Sequence, residues 1–369
     1  MKSSRGLSAV VLAVGPEKSM RSERPKPLHM LCGRPMGSYV LEALSQTQIG
    51  QCVVVANSEA IRIGKRLKEE PLGFSLRVVE QTSFTNHGDA LVLGVNDLDE
   101  LHEEEDVVVL SADLPLLNPE TIKNLLEQHY STDAACTLLT SFCSDISELE
   151  SLAHVNVVVR DKNQKISELV DQATAESLGF LSEGPFEVSF GIYCLKRDYI
   201  SASIRRIDTA AGQTQIRDIV KVLAESGHLC ASVEIGDGSV LTPVDDRVQL
   251  AVSEAKLRSR INNYWLNAGV TMVDPERTYI DSTVVLGKDV TLFPGTFLKG
   301  KTNIGNGCRI GPDAKLDSCT LGQNTQVEFS VIEGSMIGSD CRVGPYSVLK
   351  AGSELADGTF TGPFFGQDQ

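Results

Sequence analysis

From Ile280 onward an aliphatic residue recurs every six positions, at Ile280, Leu286, Leu292, Leu298, Ile304, Ile310 and Leu316. The phase slips by one residue to Leu321 and Val327, slips again through Ile332 and Ile337, and resumes at Val343, Leu349 and Leu355. A period of six matches neither the 3.6-residue period of a helix nor the two-residue alternation of a strand. It fits a solenoid whose triangular coils each take three hexapeptides, with one aliphatic residue pointing inward per side. Gly287, Gly305, Gly311, Gly322, Gly338 and Gly344 follow these positions and suit the corners. Residues 271–369 are therefore predicted to form a short left-handed parallel β-helix of about four coils. The aromatic-containing tail from Thr359 breaks the pattern and suits a cap or a contact with another subunit.

The first 244 residues have a different texture. Short apolar runs at 7–14, 52–56, 76–79, 107–111, 135–139, 155–159, 191–195 and 229–233 read as buried strands. Helical patterns at 37–45, 58–68, 90–97, 119–128 and 216–226 lie between several of them. Near-continuous apolar strands alternating with amphipathic helices predict an α/β domain with a Rossmann-like, mostly parallel sheet covered on both faces. Ligands bind such sheets outside the carboxyl ends of the strands, so the loops after Val14, Val79 and Leu110 are where a site is expected. Residues 245–270 repeat Leu250, Leu257, Ile261 and Leu266 at near-heptad spacing and stop at Gly269, which predicts a linker helix.

Composition narrows the partners. Acidic residues outnumber basic ones 49 to 34, a net charge of −15, which argues against a nucleic-acid backbone or an anionic membrane surface as partner. Phosphate binding must then come from local lysines, backbone N–H groups or a bound cation. No apolar run approaches the ~20 residues of a membrane span, and the N-terminal run reads as a first strand, which together predict a cytoplasmic protein. The nine cysteines are scattered without any C-x-x-C, so buried free thiols are expected instead of disulfides or a zinc site.

The motifs fall in a telling order. Leu12-Ala13-Val14-Gly15 is followed by Pro25-Lys26-Pro27-Leu28-His29, Gly33-Arg34-Pro35-Met36, Gln81, Ser111-Ala112-Asp113-Leu114-Pro115-Leu116 and Val244-Asp245-Asp246-Arg247. Ala268-Gly269-Val270-Thr271-Met272-Val273-Asp274-Pro275 then leads into the hexapeptides. Along its whole length the chain resembles the sugar-1-phosphate nucleotidyltransferases. Among them it is most similar to the bifunctional N-acetylglucosamine-1-phosphate uridylyltransferase/glucosamine-1-phosphate acetyltransferase (GlmU) family. The resemblance implies an enzyme that joins UTP and N-acetylglucosamine-1-phosphate with Mg²⁺ for peptidoglycan precursors, and a homotrimer associated through the β-helix. It places Lys26 on phosphate, Asp113 on Mg²⁺, and Asp245 at the second metal position, where the family has Asn. It assigns Leu12, Ala13, Val14 and Gly15 to the nucleotide through the backbone, Gln81 to the uracil edge, and Asp171 and Ser189 to the sugar. A hard cation accepts carboxylate oxygens, so Asp at the second position is chemically acceptable.

Read without the resemblance, Lys26 is a turn lysine, Asp113 a turn or capping residue, Asp245 a helix N-cap, and His29 a hydrogen-bonded core residue. The chain also departs from the family. Its phosphate loop reads Gly15-Pro16-Glu17-Lys18-Ser19-Met20, with Glu17 in place of a glycine and Ser19 in place of an arginine. Phe84-Thr85-Asn86-His87-Gly88-Asp89 replaces the uracil-binding segment, and Ala153-His154-Val155-Asn156-Val157 replaces a Gly-rich one. These changes leave a catalytically silent nucleotide-sugar-binding or assembly subunit as the alternative reading. The sequence ends before the later coils on which the family carries its acetyltransferase site, and no histidine follows His228, so acetyl transfer is not expected of it.

Overall fold

The computed structural model describes residues 6–14, 20–57, 59–69, 71–82, 87–99, 105–144, 155–181, 184–207, 215–236 and 238–366. The chain divides into two compact units, Met1–His29 with Pro35–Gln249, and Met30–Arg34 with Leu250–Gln369.

The first unit is built on a nine-stranded sheet among the described residues. Its strands are β1 (Gly6–Ala13), β2 (Gln51–Ala56), β3 (Ser75–Glu80), β4 (Glu105–Ser111), β5 (Cys136–Cys143), β6 (Asn156–Arg160), β7 (Ile166–Val170), β8 (Phe186–Lys196) and β9 (Cys230–Glu234). They are ordered β9-β5-β8-β4-β1-β2-β3, with the β6–β7 pair attached to β8. β4, β1, β2 and β3 run parallel, as do β9 and β5, while β8 runs antiparallel to both β4 and β5. The sheet is thus mixed, with one reversed strand in its middle. Val53, Val54 and Val55 of β2 and Val107–Leu110 of β4 are wholly buried, as a sheet covered on both faces requires.

Helices α1 (Met36–Ser45), α2 (Ala60–Leu67), α3 (His87–Asn96), α4 (Pro119–Thr132), α5 (Gln172–Ser177), α6 (Arg197–Arg206) and α7 (Ile216–Glu225) cover it. Two separate apolar clusters result, one on each face. Ala9, Val11, Val54 and Leu110 belong to one cluster, and Val10, Val53 and Val109 to the other. The alternation of neighbours between faces is the two-residue period of a strand.

The second unit begins in helix α8 (Arg247–Asn267). Along it Ser253 and Leu257 are buried, and Ile261 and Trp265 pack on the solenoid core, an i, i+4 stripe. The solenoid is a left-handed parallel β-helix of three five-stranded parallel sheets, one per side of the triangle. All fourteen phase-marking aliphatics face its interior, with Leu355 partly open at the end. Leu286 lies over Ile304, Leu321, Ile337 and Leu355 in successive coils, at separations of 18, 17, 16 and 18 residues. The phase slips are coils shortened by one or two residues, with the inward register kept.

One corner shows why glycine is needed. A Cβ on Gly322 would sit 2.5 Å from the Ser339 nitrogen and 2.6 Å from the Gly338 carbonyl carbon, both backbone atoms of the next coil. Gly322→Ala is expected to cost about 1–3 kcal/mol, as overpacking does. A thermal-unfolding midpoint unchanged from wild type would show that the coils can part there without penalty.

All nine cysteines are buried free thiols. Among the described residues no helix is long and apolar enough to cross a membrane.

Candidate active site

β1 and β4 are adjacent and parallel, with Leu12 opposite Ser111 at their carboxyl ends. The chain leaves β4 through Ala112, whose N–H donates to the Leu12 carbonyl at 2.9 Å. Asp113 follows, and its own carbonyl accepts from Val244 N at 2.9 Å. That bond brings the segment preceding α8 alongside β4 and sets Asp245 next to Asp113.

Lys26 comes from a third direction. It opens a short 3₁₀ turn, Lys26–Leu28, preceded by Pro25 at φ −52° and followed by buried Pro27. Two prolines fix φ on either side of the lysine, so its backbone has little freedom. Its Nζ donates at 2.5 Å to Asp113 Oδ2 and at 2.5 Å to Asp245 Oδ1. These side chains are only 21%, 12% and 23% exposed, so the triad is largely withdrawn from water. Burial opposes the charge on Lys26, but the carboxylates of Asp113 and Asp245 outweigh it and raise its pKa above the ordinary lysine value. The ammonium is therefore the charged form near neutral pH. Leu12, Ala13, Val14, Pro25, Ile63 and Ala112 line the cleft around Lys26 and Asp113.

Two residues compete for the role of cap at the start of α8, and the structure separates them. Asp246 Oδ1 accepts from Val248 N at 2.9 Å and Gln249 N at 2.8 Å, the bonds of an N-cap. Gln249 Oε1 reaches back to Asp245 N at 2.6 Å and Asp246 N at 3.2 Å, completing a capping box. Asp245 is thereby released from capping, and its carboxylate goes to Lys26. The N-cap reading of Asp245 is corrected in favour of its neighbour. Arg247 donates through Nε to the Met20 carbonyl at 3.2 Å and sets Nη1 3.3 Å from His29 Nδ1. Burial, then the charges of Arg247 and Arg24, lower the His29 pKa, so this buried imidazole is neutral and is held as a structural group.

The remaining expected residues lie on either side of this centre. Gln81 directly follows β3 and donates its backbone N–H to the Ala56 carbonyl at 2.7 Å. It is 8% exposed, and among the described residues its buried side-chain Oε1 has no hydrogen-bond partner. Asp171 caps α5 through Oδ1, which accepts from Thr174 N at 2.8 Å, while Oδ2 accepts from Arg217 at 2.9 Å. Ser189 is fully buried on β8, opposite Asn156. Gly15 and the phosphate-loop residues Glu17, Lys18 and Ser19 lie outside the described residues, as do Phe84, Ala153 and His154. The fold thus joins Lys26, Asp113 and Asp245 directly and lines their cleft with Leu12, Ala13 and Val14. Sequence reasoning met Asn156 only within the segment that replaces a Gly-rich one, and it overlooked Arg217, which carries no motif.

The charge balance suits a divalent cation. Two carboxylates face one ammonium, and among the described residues Asp113 Oδ1 is buried without a hydrogen-bond partner. Carboxylate oxygens are the donors a hard ion takes, and Mg²⁺ is commonly bound by one or two of them together with substrate phosphates. Among the described residues no group of three or more His, Cys, Asp or Glu side chains forms a full metal cage.

The domain model for a MobA-like NTP transferase matches residues 9–167. The bifunctional protein GlmU of Heliobacterium modesticaldum is 32% identical over 361 residues, covering 97% of this chain and 75% of that protein. The GlmU of Mycobacterium marinum is 34% identical over 362 residues, covering 97% and 71%. Two solved structures share the fold at a TM-score of 0.50. One is a CMP:2-keto-3-deoxy-manno-octonic acid synthetase complexed with CTP, 16% identical, covering 69% of this chain and 99% of its own. The other is the inositol-1-phosphate CTP transferase from T. maritima, 15% identical, covering 67% and 92%. With a nucleotidyltransferase domain followed by a hexapeptide β-helix, and relatives of this identity along nearly its whole length, the chain belongs to the GlmU family.

Proposed function

We propose that the protein is a Mg²⁺-dependent uridylyltransferase that converts UTP and N-acetylglucosamine-1-phosphate into UDP-N-acetylglucosamine and pyrophosphate. The observation that carries this reading is the Lys26 ammonium held 2.5 Å from both Asp113 and Asp245 at the carboxyl end of β4. In the reaction a phosphate oxygen of the sugar phosphate attacks the α-phosphorus of UTP. The new P–O bond forms as the bond to the β-phosphate breaks, and pyrophosphate leaves with the electron pair.

The attacking phosphate is already largely ionised at neutral pH, its second pKa lying near ~6, so no general base is required. This agrees with a site whose nearby histidine is neutral and engaged by Arg247. What the reaction needs is neutralisation of phosphate charge and alignment. Lys26 supplies a fixed positive charge, and the backbone of Leu12–Val14 lies where the nucleotide enters. Asp113 and Asp245 would hold Mg²⁺, which when bound offsets the charge of the triphosphate. Gln81, with a buried acceptor that no described residue satisfies, suits the N–H of a pyrimidine edge.

The test is pyrophosphate release from UTP, N-acetylglucosamine-1-phosphate and Mg²⁺, beside Asp113→Asn and beside ATP, CTP and GTP. Turnover with UTP that Asp113→Asn lowers about 10²–10³-fold is expected. Faster turnover with another triphosphate would overturn the base assignment. UTP raising the unfolding midpoint without any turnover would leave a silent nucleotide binder in its place.

A further inference from the structure

The stretch from Met20 to His29 carries Lys26, and one guanidinium holds both of its ends. Arg247 Nε donates to the Met20 carbonyl at 3.2 Å, and its Nη1 lies 3.3 Å from His29 Nδ1. Arginine has donors and no acceptor, so the neutral imidazole accepts at Nδ1. Both anchor residues are buried, Met20 at 1% and His29 at 3% exposure. Between them the chain tightens at Lys26–Leu28, where His29 N returns to the Lys26 carbonyl at 3.2 Å. The His29 carbonyl in turn accepts from Met36 N at 2.8 Å, which fixes the exit of the turn. Arg247 is the first residue of α8 and stands just beyond Asp245 and the capping residue Asp246. The segment bearing Asp245 and the stretch bearing Lys26 are therefore joined twice, by the Lys26–Asp245 ion pair and by the Arg247 clasp.

We propose that Arg247 is a positioning residue for nucleotidyl transfer, the clasp that keeps the Lys26 ammonium aligned while it shares its charge with phosphate. This rests on the uridylyltransferase reading above and adds to it a residue to which that reading gives no part.

The two joints differ in what the reaction does to them. As Lys26 turns toward a phosphate, its hold on Asp245 weakens, and the ion pair no longer fixes the stretch. The clasp uses neither the ammonium nor a carboxylate, so it persists through that exchange. A planar guanidinium presents its N–H groups in fixed directions, and the spacing of the Met20 carbonyl from the His29 ring is set by that fork. Alignment matters at such a site, since a displacement of about 1 Å in a group that acts on the transition state can cost on the order of 10²-fold in rate. A clasp that works by holding Lys26 has nothing left to do once the ammonium is gone. A brace that only holds the fold together matters equally with or without it.

The experiment measures kcat and KM for UTP and for the sugar phosphate in wild type, Arg247→Met and Arg247→Lys, each also on the Lys26→Met background and below the lowest unfolding midpoint. Arg247→Met is expected to lower kcat about tenfold and to leave KM for the sugar phosphate within about twofold of wild type. Arg247→Lys should recover part of the loss, because an ammonium satisfies one acceptor but cannot fork to two. On the Lys26→Met background the same substitutions should cost less than about twofold, the non-additivity of residues that act as one unit. An equal loss on both backgrounds would overturn the proposal and make Arg247 a structural brace, and so would a kcat in Arg247→Met equal to that of wild type. Should Arg247→Met fail to fold, Arg247→Lys carries the same comparison between backgrounds. Those outcomes leave the uridylyltransferase reading standing, whereas a wild type without turnover on UTP would overturn that reading and this role with it.

Discussion

Lys26→Met is expected to lower kcat/KM for nucleotidyl transfer by about 10²–10³-fold, the usual cost of removing one charge-stabilising donor from a preorganised site. The structure adds a second consequence that does not depend on turnover. The Asp113 and Asp245 oxygens each lie 2.5 Å from one nitrogen, so they cannot be further from each other than twice that distance. Without the ammonium, two carboxylates of low exposure face each other with the counter-charge they share removed. Such a pair either protonates one member or recruits a cation. The unfolding midpoint of Lys26→Met should therefore rise with added Mg²⁺ far more than that of wild type, where the lysine already occupies the space between the carboxylates.

The same geometry sets the pH behaviour. A lysine whose folded pKa is raised contributes its full stabilisation below the unfolded value of 10.5 and loses it as pH rises through the folded value. Neutral and mildly alkaline buffers should leave the triad intact, and the contribution should fade only above that point. Full turnover in Lys26→Met would show that the lysine is an architectural counter-ion and that phosphate is neutralised elsewhere. A midpoint in Lys26→Met that does not respond to Mg²⁺ would show that the two carboxylates do not form a cation site.

How much of this was legible in the sequence differs between the two units for a physical reason. In the solenoid every inward position is set by one local period, so the residues from Ile280 to Leu355 announced their own burial. Even the phase slips had a direct meaning, as shortened coils. In the first unit the strands are buried on both faces and read as apolar runs, but a run does not say which way it points. The reversal of β8 between β4 and β5 is set by tertiary pairing and left no local mark.

Segments stabilised by few buried residues escaped as well. Helix α6 buries only Ile200 and Ser203, and β7 alternates with polar residues on a hairpin. The motif residues Lys26 and Asp113 were legible because prolines and a strand end frame them. Asp245 was ambiguous, since Asp245-Asp246 offers two carboxylates for one cap, and only the Gln249 capping box assigns them. The pairing of Asn156 with Arg217 was invisible because it joins positions 61 residues apart.

Arg197→Met is expected to be the most destabilising single change in the first unit. Glu105 begins β4 at the end of the sheet opposite the cleft, and its side chain is 2% exposed. Its carboxylate is held by the Ser8 hydroxyl, by Gln51 Nε2 at 3.3 Å and by Arg197 Nη1. Arg197 also donates to the carbonyls of Asp99 at 2.9 Å and Leu98 at 2.8 Å, so one guanidinium ties α6 to the segment after α3. Removing it strands a buried carboxylate and takes the arginine's donors from the carbonyls of Leu98 and Val95, while the Asp99 carbonyl keeps Gln51 Nε2 at 2.8 Å. Breaking a buried pair from one side costs about 3–5 kcal/mol, because the remaining charge has lost its compensation. For a unit of this size that lowers the unfolding midpoint on the order of 10 °C. Glu105→Gln on the Arg197→Met background should recover a substantial part, since a neutral amide keeps hydrogen-bonding capacity to Ser8 and Gln51 without the buried charge. Below its transition the single variant should retain nucleotide binding, the network lying at the far end of the strands from Lys26. A midpoint within about 2 °C of wild type, well under the shift that loss of a buried pair brings, would mean that Glu105 is compensated without the arginine. Recovery absent from the double variant would place the loss in the carbonyls of Leu98 and Val95 and not in the stranded charge.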